Sequence, residues 1–296
     1  MTPEDIKHLP FFWSVRRQRY WKQCRRRYFL HYYLARLGRY EESDAVCQEA
    51  YELDKRVSAK EYIRIILCKT MHSMFQRCET GSIATAAVLN FKHEVYKMIN
   101  YPDSVPLIIS EIADDWLPDK DFMNNLTEEV RKCGEKIDQN FWLKIQNIPY
   151  GYRKKVEHPQ PVRFIELGCC FVPVLAFVNH GEMWILESSS VDYSGDLIAC
   201  IHRMWVYNNL HRDPTKVRSI YLDQNYELKQ LDNLPSVSAF LAEIRDDIHN
   251  MVEAEMEGFI SLRDFPPSPG ERCNTCQFFK FCQKRDTFKE ILKNKT

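Results

Sequence analysis

A cysteine frame limits what this chain can fold into more than any other feature. Cys273-Asn-Thr-Cys276 is followed, after five residues, by Cys282. A Cys-x2-Cys turn lets two thiolates converge on one metal or one cluster edge, and the third is close enough in sequence to join them. Three ligands leave one position vacant. Cys24 can fill it, because it stands on the apolar face of the first expected helix. Four thiolates fit either a [4Fe–4S] cluster or structural zinc. Either would tie the opening helix to the C-terminal segment. The loop closed between Cys24 and Cys273 holds on the order of 250 residues, and chain-entropy arithmetic puts the constraint at roughly 5–6 kcal/mol at most. The other seven cysteines (Cys47, Cys68, Cys78, Cys133, Cys169, Cys170, Cys200) lack ligand spacing and read as small buried hydrophobes.

Composition removes several classes. With 296 residues and 45% hydrophobic content, the chain can bury a core without disulfides. Glycine is scarce, at 9 residues, which favours long helices over phosphate-cradling loops. No Walker-type or GxGxxG segment occurs. Charges interrupt every apolar stretch before ~18–20 residues, so no bilayer span is expected. The N-terminal stretch lacks a secretory layout, so a cytoplasmic location is expected. The 41 basic and 41 acidic side chains cancel, but unevenly. Residues 1–40 carry ten bases and two acids, whereas 41–54 carry six acids and no base.

Periodicity places the elements. In 13–37, Trp21, Cys24, Tyr28 and Tyr32 recur every three or four residues, which predicts one helix with arginines on its other face and a stop at Gly38. Further helices are expected from Ser58 to Gln76, over 83–99 before Pro102, and within 105–147. The pattern then turns to short β-rich runs over 162–190, with Asn179-His180-Gly181 as a hairpin turn. A helix over 196–210, a second hairpin (VRSIYL and YELKQL) and a helix over 237–257 complete the order. The expected class is α/β, a mixed sheet flanked by helices. Three parts are expected: a helical region over 1–150, an α/β core over 151–262, and the cysteine tail over 263–296.

With these residues in view, the chain resembles the iron–sulfur branch of the RecB-like PD-(D/E)XK nucleases, a group that includes CRISPR-associated RecB-type exonucleases. That family carries one cysteine in an early Cys-Pro-Arg-Lys-Phe-like helix and three at its C-terminal end. The matches here are Gln23-Cys24-Arg25-Arg26-Arg27-Tyr28-Phe29-Leu30 and the stretch from Phe265-Pro266-Pro267 to Cys282. The resemblance spans about 12–283. It implies a PD-(D/E)XK restriction-endonuclease-like fold, a [4Fe–4S] cluster on Cys24, Cys273, Cys276 and Cys282, and DNA, single-stranded or forked, as ligand. It also implies protein partners in a multi-subunit DNA-processing or defence complex, and no membrane.

The family's site needs a helical His, a strand Asp, an acid-x-Lys on the next strand, and a Gln/Tyr pair on the following helix. The two carboxylates hold Mg²⁺ or Mn²⁺, which activates a water. The resemblance maps His93, Glu187 and Tyr207 onto retained positions. Pro173 stands at the metal Asp, Ser189 at the Lys and Arg203 at the Gln. Proline cannot ligate through its side chain and serine supplies no cation, so the expectation is a disabled site in a binding subunit. The alternative is an active Mg²⁺- or Mn²⁺-dependent exonuclease or endonuclease with a rearranged site, drawing on Glu166, Glu182, Asp192, Lys154 or Lys155. Glu227-Leu228-Lys229 mimics acid-x-Lys but lies on the later hairpin. Arg16, Arg17, Arg19, Lys22, Arg25, Arg26 and Arg27 are the expected phosphate contacts, with Trp13, Tyr20 and Trp21 available to stack on bases.

Overall fold

The computed structural model describes residues 12–114, 120–154, 162–164, 167–169, 173–187, 195–210, 217–223, 227–230, 237–256, 262 and 265–284. In chain order the main helices are α1 (Val15–Gln23), α2 (Arg25–Phe29), α3 (Ala45–Asp54), α4 (Ala59–Gln76), α5 (Ile83–Asn100), α6 (Lys120–Ile137), α7 (Gly195–Leu210), α8 (Val237–Met256) and α9 (Phe279–Gln283), with shorter helical turns at Ala35–Leu37, Ser110–Asp114 and Leu143–Ile145. After a two-residue strand at Phe12–Trp13, the strands are β1 (Arg56–Val57), β2 (Ile108–Ile109), β3 (Val162–Phe164), β4 (Leu167–Cys169), β5 (Leu175–Asn179), β6 (Glu182–Glu187), β7 (Val217–Leu222) and β8 (Leu228–Gln230). Helix and sheet are mixed, as an α/β chain requires. Among the described residues no helix is long and apolar enough to cross a membrane.

The chain divides into two compact units built from segments distant in sequence. The first comprises Met1–Ser58, Pro106–Ala113 and Ala242–Thr296; the second comprises Ala59–Val105 and Asp114–Leu241.

In the first unit, Ser14 opens α1 by accepting from the Arg17 amide at 3.1 Å, and Asp44 opens α3 through the Cys47 amide at 2.8 Å. Both satisfy amides that a helix start leaves without partners. The expected single helix over 13–37 is not continuous. It breaks at Cys24, whose backbone is extended (φ −163°, ψ 106°), and passes through a π-helical turn at Leu30–Leu34 before Ala35–Leu37. Gly38 ends this run for a different reason from the one expected. Its φ is −63°, an ordinary helical value, but a Cβ there would lie 2.0 Å from the Cys47 carbonyl oxygen. The short parallel pair β1–β2 stitches the 106–113 segment in, with Arg56 opposite Ile108 and Val57 opposite Ile109.

The second unit combines a helical cluster with a four-stranded sheet, order β5-β6-β7-β8. β5 and β6 form the expected hairpin. His180 and Gly181 both take positive φ (48° and 82°), the signature of a type I′ turn that matches strand twist. β6 and β7 run parallel, joined through α7, and β8 returns antiparallel. Alternation along β6 sorts its side chains. Met183 and Ile185 join Ala176, Val217 and the α7 residues Trp205 and Val206 in one buried cluster. Trp184 stacks on Phe177, which meets Phe75 of α4 at 5.6 Å. Helices therefore cover both faces of the sheet. β3 and β4 run antiparallel, with Val162 opposite Cys169, outside this four-stranded sheet.

Of the cysteines expected to be buried, Cys47, Cys68, Cys133 and Cys200 are. Cys78 is exposed, in the left-handed turn that ends α4 (φ 56°). Burial pushes the Cys47 thiol up to about 12 and the Cys133 thiol up to about 11, so both stay protonated and apolar near neutrality.

Asp138 follows α6 and caps α5 from a distance. It accepts from Ser82 Oγ at 2.7 Å, the Ile83 amide at 2.7 Å and the Ala84 amide at 3.2 Å. Gly134 allows this close approach, since a Cβ there would lie 2.5 Å from Ala84 Cα. Replacing Asp138 by alanine strands two buried amides. The expected loss is about 2–3 kcal/mol of unfolding free energy, read by urea denaturation.

Candidate metal centre and its surroundings

Cys24 sits in the first unit at the break between α1 and α2. Its amide donates to the Tyr20 carbonyl at 2.9 Å, and its carbonyl accepts from the Tyr28 amide at 3.0 Å. One residue thus closes one helix and opens the next. No proline or glycine dictates this break, but contacts to the C-terminal segment flank it. Arg26 is only 3% exposed and donates from Nε to the Phe265 carbonyl at 2.7 Å. Arg27 donates to Gln277 Oε1 at 3.0 Å. Phe29 stacks on Phe265 with centroids 4.6 Å apart and planes at 10°.

The C-terminal cysteines lie on successive tight turns. A 3-10 helix spans Glu271–Thr275, in which the Cys273 amide reaches Gly270 O at 2.9 Å. The Cys276 amide then reaches Cys273 O at 3.1 Å, and the Cys282 amide within α9 reaches Phe278 O at 3.0 Å. Phe278 and Phe281 are fully buried and anchor the segment.

The four thiols share one electrostatic neighbourhood. Burial is the largest cause raising the Cys276 thiol; the Arg27 charge opposes it, and Cys24 and Cys273 push it further up. Burial also pushes Cys282 up to about 12, against the pull of Arg26, with Cys276, Cys24 and Cys273 adding to the rise. All four cysteines are free. Among the described residues, no three His, Cys, Asp or Glu side chains stand close enough together to hold an ion. The donor chemistry nonetheless suits a thiolate-bound group: four cysteines, partly or fully buried, with two guanidinium groups nearby to offset thiolate charge.

The positions mapped to a nuclease site lie in the second unit. His93 is exposed on α5 and Tyr207 is exposed on α7. Glu187 ends β6, in register with Tyr221 of β7, which in turn faces Lys229 of β8. The side chain of Glu187 lies outside the described residues, as do Ser189, Glu166, Asp192 and Lys155. Pro173 is buried just before the Val174 amide that continues the ladder to Leu186 O at 2.7 Å. Glu182 is held by Arg218 at 2.7 Å, and that hydrogen bond is the main reason its carboxyl lies below the usual range. Lys229 bonds Glu227 at 2.8 Å and lies 3.7 Å from Asp223, so the acid-x-Lys look-alike is an ion-paired hairpin.

The expected phosphate contacts separate by burial. Arg16, Lys22 and Arg25 are exposed, and Arg19 and Arg27 are half-buried. Arg17 and Arg26 are 2% and 3% exposed. Arg17 donates to Tyr28 Oη at 3.0 Å and Tyr33 Oη at 2.8 Å, so it belongs to the core and cannot reach a phosphate. Lys22 meets Asp247 at 2.9 Å. Trp13, Tyr20 and Trp21 are also buried, so the stacking expected of them is not open to bases. Periodicity placed Trp21 on the apolar face of the first helical run, and for that ring the signal already favoured the core. The clasp formed by Arg26, Arg27, Phe265 and Gln277 had no comparable signal in the sequence.

No protein-family profile matches the chain, and no curated protein matches it.

Arg26→Gln leaves the Phe265 carbonyl without its buried donor. The variant should lose about 2–3 kcal/mol of stability, against within about 0.5 kcal/mol for Arg25→Gln at the exposed neighbour. Chemical denaturation reads both, and hydrogen exchange over 265–283 should rise only in the first.

Proposed function

We propose that this is an iron–sulfur protein with a RecB-like, PD-(D/E)XK-type nuclease fold that binds nucleic acid and has an impaired cutting site. It would act in the cytoplasm as a subunit of a DNA-processing or anti-phage complex. The observation that carries this reading is the shared neighbourhood of Cys24 with Cys273, Cys276 and Cys282, at a helix break flanked by the Arg26 and Arg27 contacts. Those four residues would hold a [4Fe–4S] cluster, which supplies a covalent tie between segments about 250 residues apart. Arg26 and Arg27 would offset the negative charge of the thiolates.

The order of a hairpin, a helix and a parallel strand (β5-β6-α7-β7) supports the nuclease-type fold. Pro173 supports the impaired site, because two metal carboxylates cannot be assembled where one of them is a proline. Lys229 offers no rescue, since it is engaged by Glu227 on a neighbouring hairpin. DNA contact would then fall to the exposed arginines rather than to a catalytic cleft.

Protein purified without oxygen should be brown, with a broad band near ~400 nm and about four irons per chain, and Cys24→Ala should lose both. A colourless protein with one zinc would overturn the cluster assignment. The same preparation should retard single-stranded or forked DNA in a gel yet leave it uncut with Mg²⁺ or Mn²⁺. Cutting that disappears in Glu187→Ala would instead establish an active site.

A further inference from the structure

A second basic group lies in the first unit, outside the frame expected to contact phosphate. Arg36 and Arg39 are three residues apart at the end of the first helical run. The Arg36 guanidinium lies 5.6 Å from the centre of the Tyr32 ring, and that of buried Arg17 lies 4.7 Å from the same centre. Two cations therefore share one aromatic ring. Among the described residues, neither Arg36 nor Arg39 has a hydrogen bond or an ion pair. The group also acts on itself. Burial first, then repulsion from Arg17 and Arg39, holds Arg36 below the usual arginine range, and no carboxylate figures among its main influences. A half-buried cation with like charges around it is a natural place for an anion to join.

Tyr40 follows Arg39 and is 65% exposed. No ring contact engages it among the described residues. Its backbone is nonetheless held, with its amide reaching Leu37 O at 3.1 Å. An open aromatic ring next in sequence to an arginine without a hydrogen bond or ion pair matches how proteins grip unpaired strands: a base stacks on the ring while guanidinium groups take the phosphate. A duplex hides its base faces and cannot use the ring this way. Glu41 and Glu42 are exposed next in sequence and bound the patch on one side.

We propose that Arg36, Arg39 and Tyr40 form a binding site for one nucleotide step of a single-stranded nucleic acid, with the phosphodiester on the two arginines and the base on Tyr40. This rests on the nucleic-acid reading above and moves its focus from the 16–27 arginines to the far end of the same helical run.

The test is fluorescence anisotropy of a labelled 20-residue oligo-dT across a salt series, with duplex and inorganic phosphate as competitors and iron content as a control. Tyr40→Ala and Arg39→Gln should each weaken binding about fivefold or more, with iron content unchanged. Arg39→Gln should also lower the salt slope by about 0.7. Duplex and phosphate should compete poorly. Arg36→Gln should weaken binding as well and lower the salt slope, a readout that a merely structural arginine would not move. If wild-type protein binds the oligonucleotide and all three variants bind it equally well, this site is wrong and the broader nucleic-acid reading stands. If wild-type protein binds no oligonucleotide, both fall. Competition by phosphate at equal potency would overturn the single-strand assignment.

Discussion

The first unit depends on a charged side chain buried where its partner is a backbone carbonyl. Arg26 reaches Phe265 O at 2.7 Å from a position almost closed to water. A buried guanidinium is costly unless its donors are satisfied, so this contact leaves little freedom in how α2 meets the C-terminal segment. Stacking of Phe29 on Phe265 and the bond from Arg27 to Gln277 fix the same interface from either side. The break at Cys24 lets α1 and α2 meet these demands with separate axes. It also leaves a thiol in extended backbone within electrostatic reach of two of the C-terminal thiols.

The opening segment shows how one residue type can do opposite jobs. Arg17 and Arg26 are internal ties, each bonded within the unit. Arg16, Lys22 and Arg25 are exposed, Lys22 with Asp247 as its partner, and Arg36 is half-buried with no carboxylate among its main influences. Net positive charge over 1–40 therefore says little by itself about nucleic acid. What decides is which guanidinium groups are already satisfied, since a satisfied buried donor has nothing left to offer a phosphate. By that criterion the phosphate-facing candidates are fewer than the arginine count suggests, and they lie partly outside the richest run.

In the second unit the sheet is sound while the chemistry expected of it is thin. The β5-β6 hairpin, the parallel β6-β7 pair and the two covering helix faces are built from ordinary alternation and a tight I′ turn. Around them, carboxylates and cations pair with one another, as in Glu182 with Arg218 and Glu227 with Lys229. Such pairs suit a solvated surface better than a metal site, which needs carboxylates that are not already neutralised.

The sequence alone determined the helices of 59–76 and 83–100, the His180-Gly181 turn, the strand runs and the cysteine spacing. Each is set by neighbours within a few residues: capping oxygens, 3.6- or 2-residue periodicity, and the left-handed freedom of glycine. Tertiary structure decided the rest. It broke the first helix at Cys24, made Gly38 obligatory through the approach of Cys47, drew Arg17 and Arg26 inward, and turned Trp13 and Tyr20 from candidate stacking rings into core. The reason is physical: whether a side chain is buried or bonded depends on groups outside its own helical turn, from Cys47 beside Gly38 to the Phe265 carbonyl beside Arg26, and no local pattern encodes where such a carbonyl will come to lie.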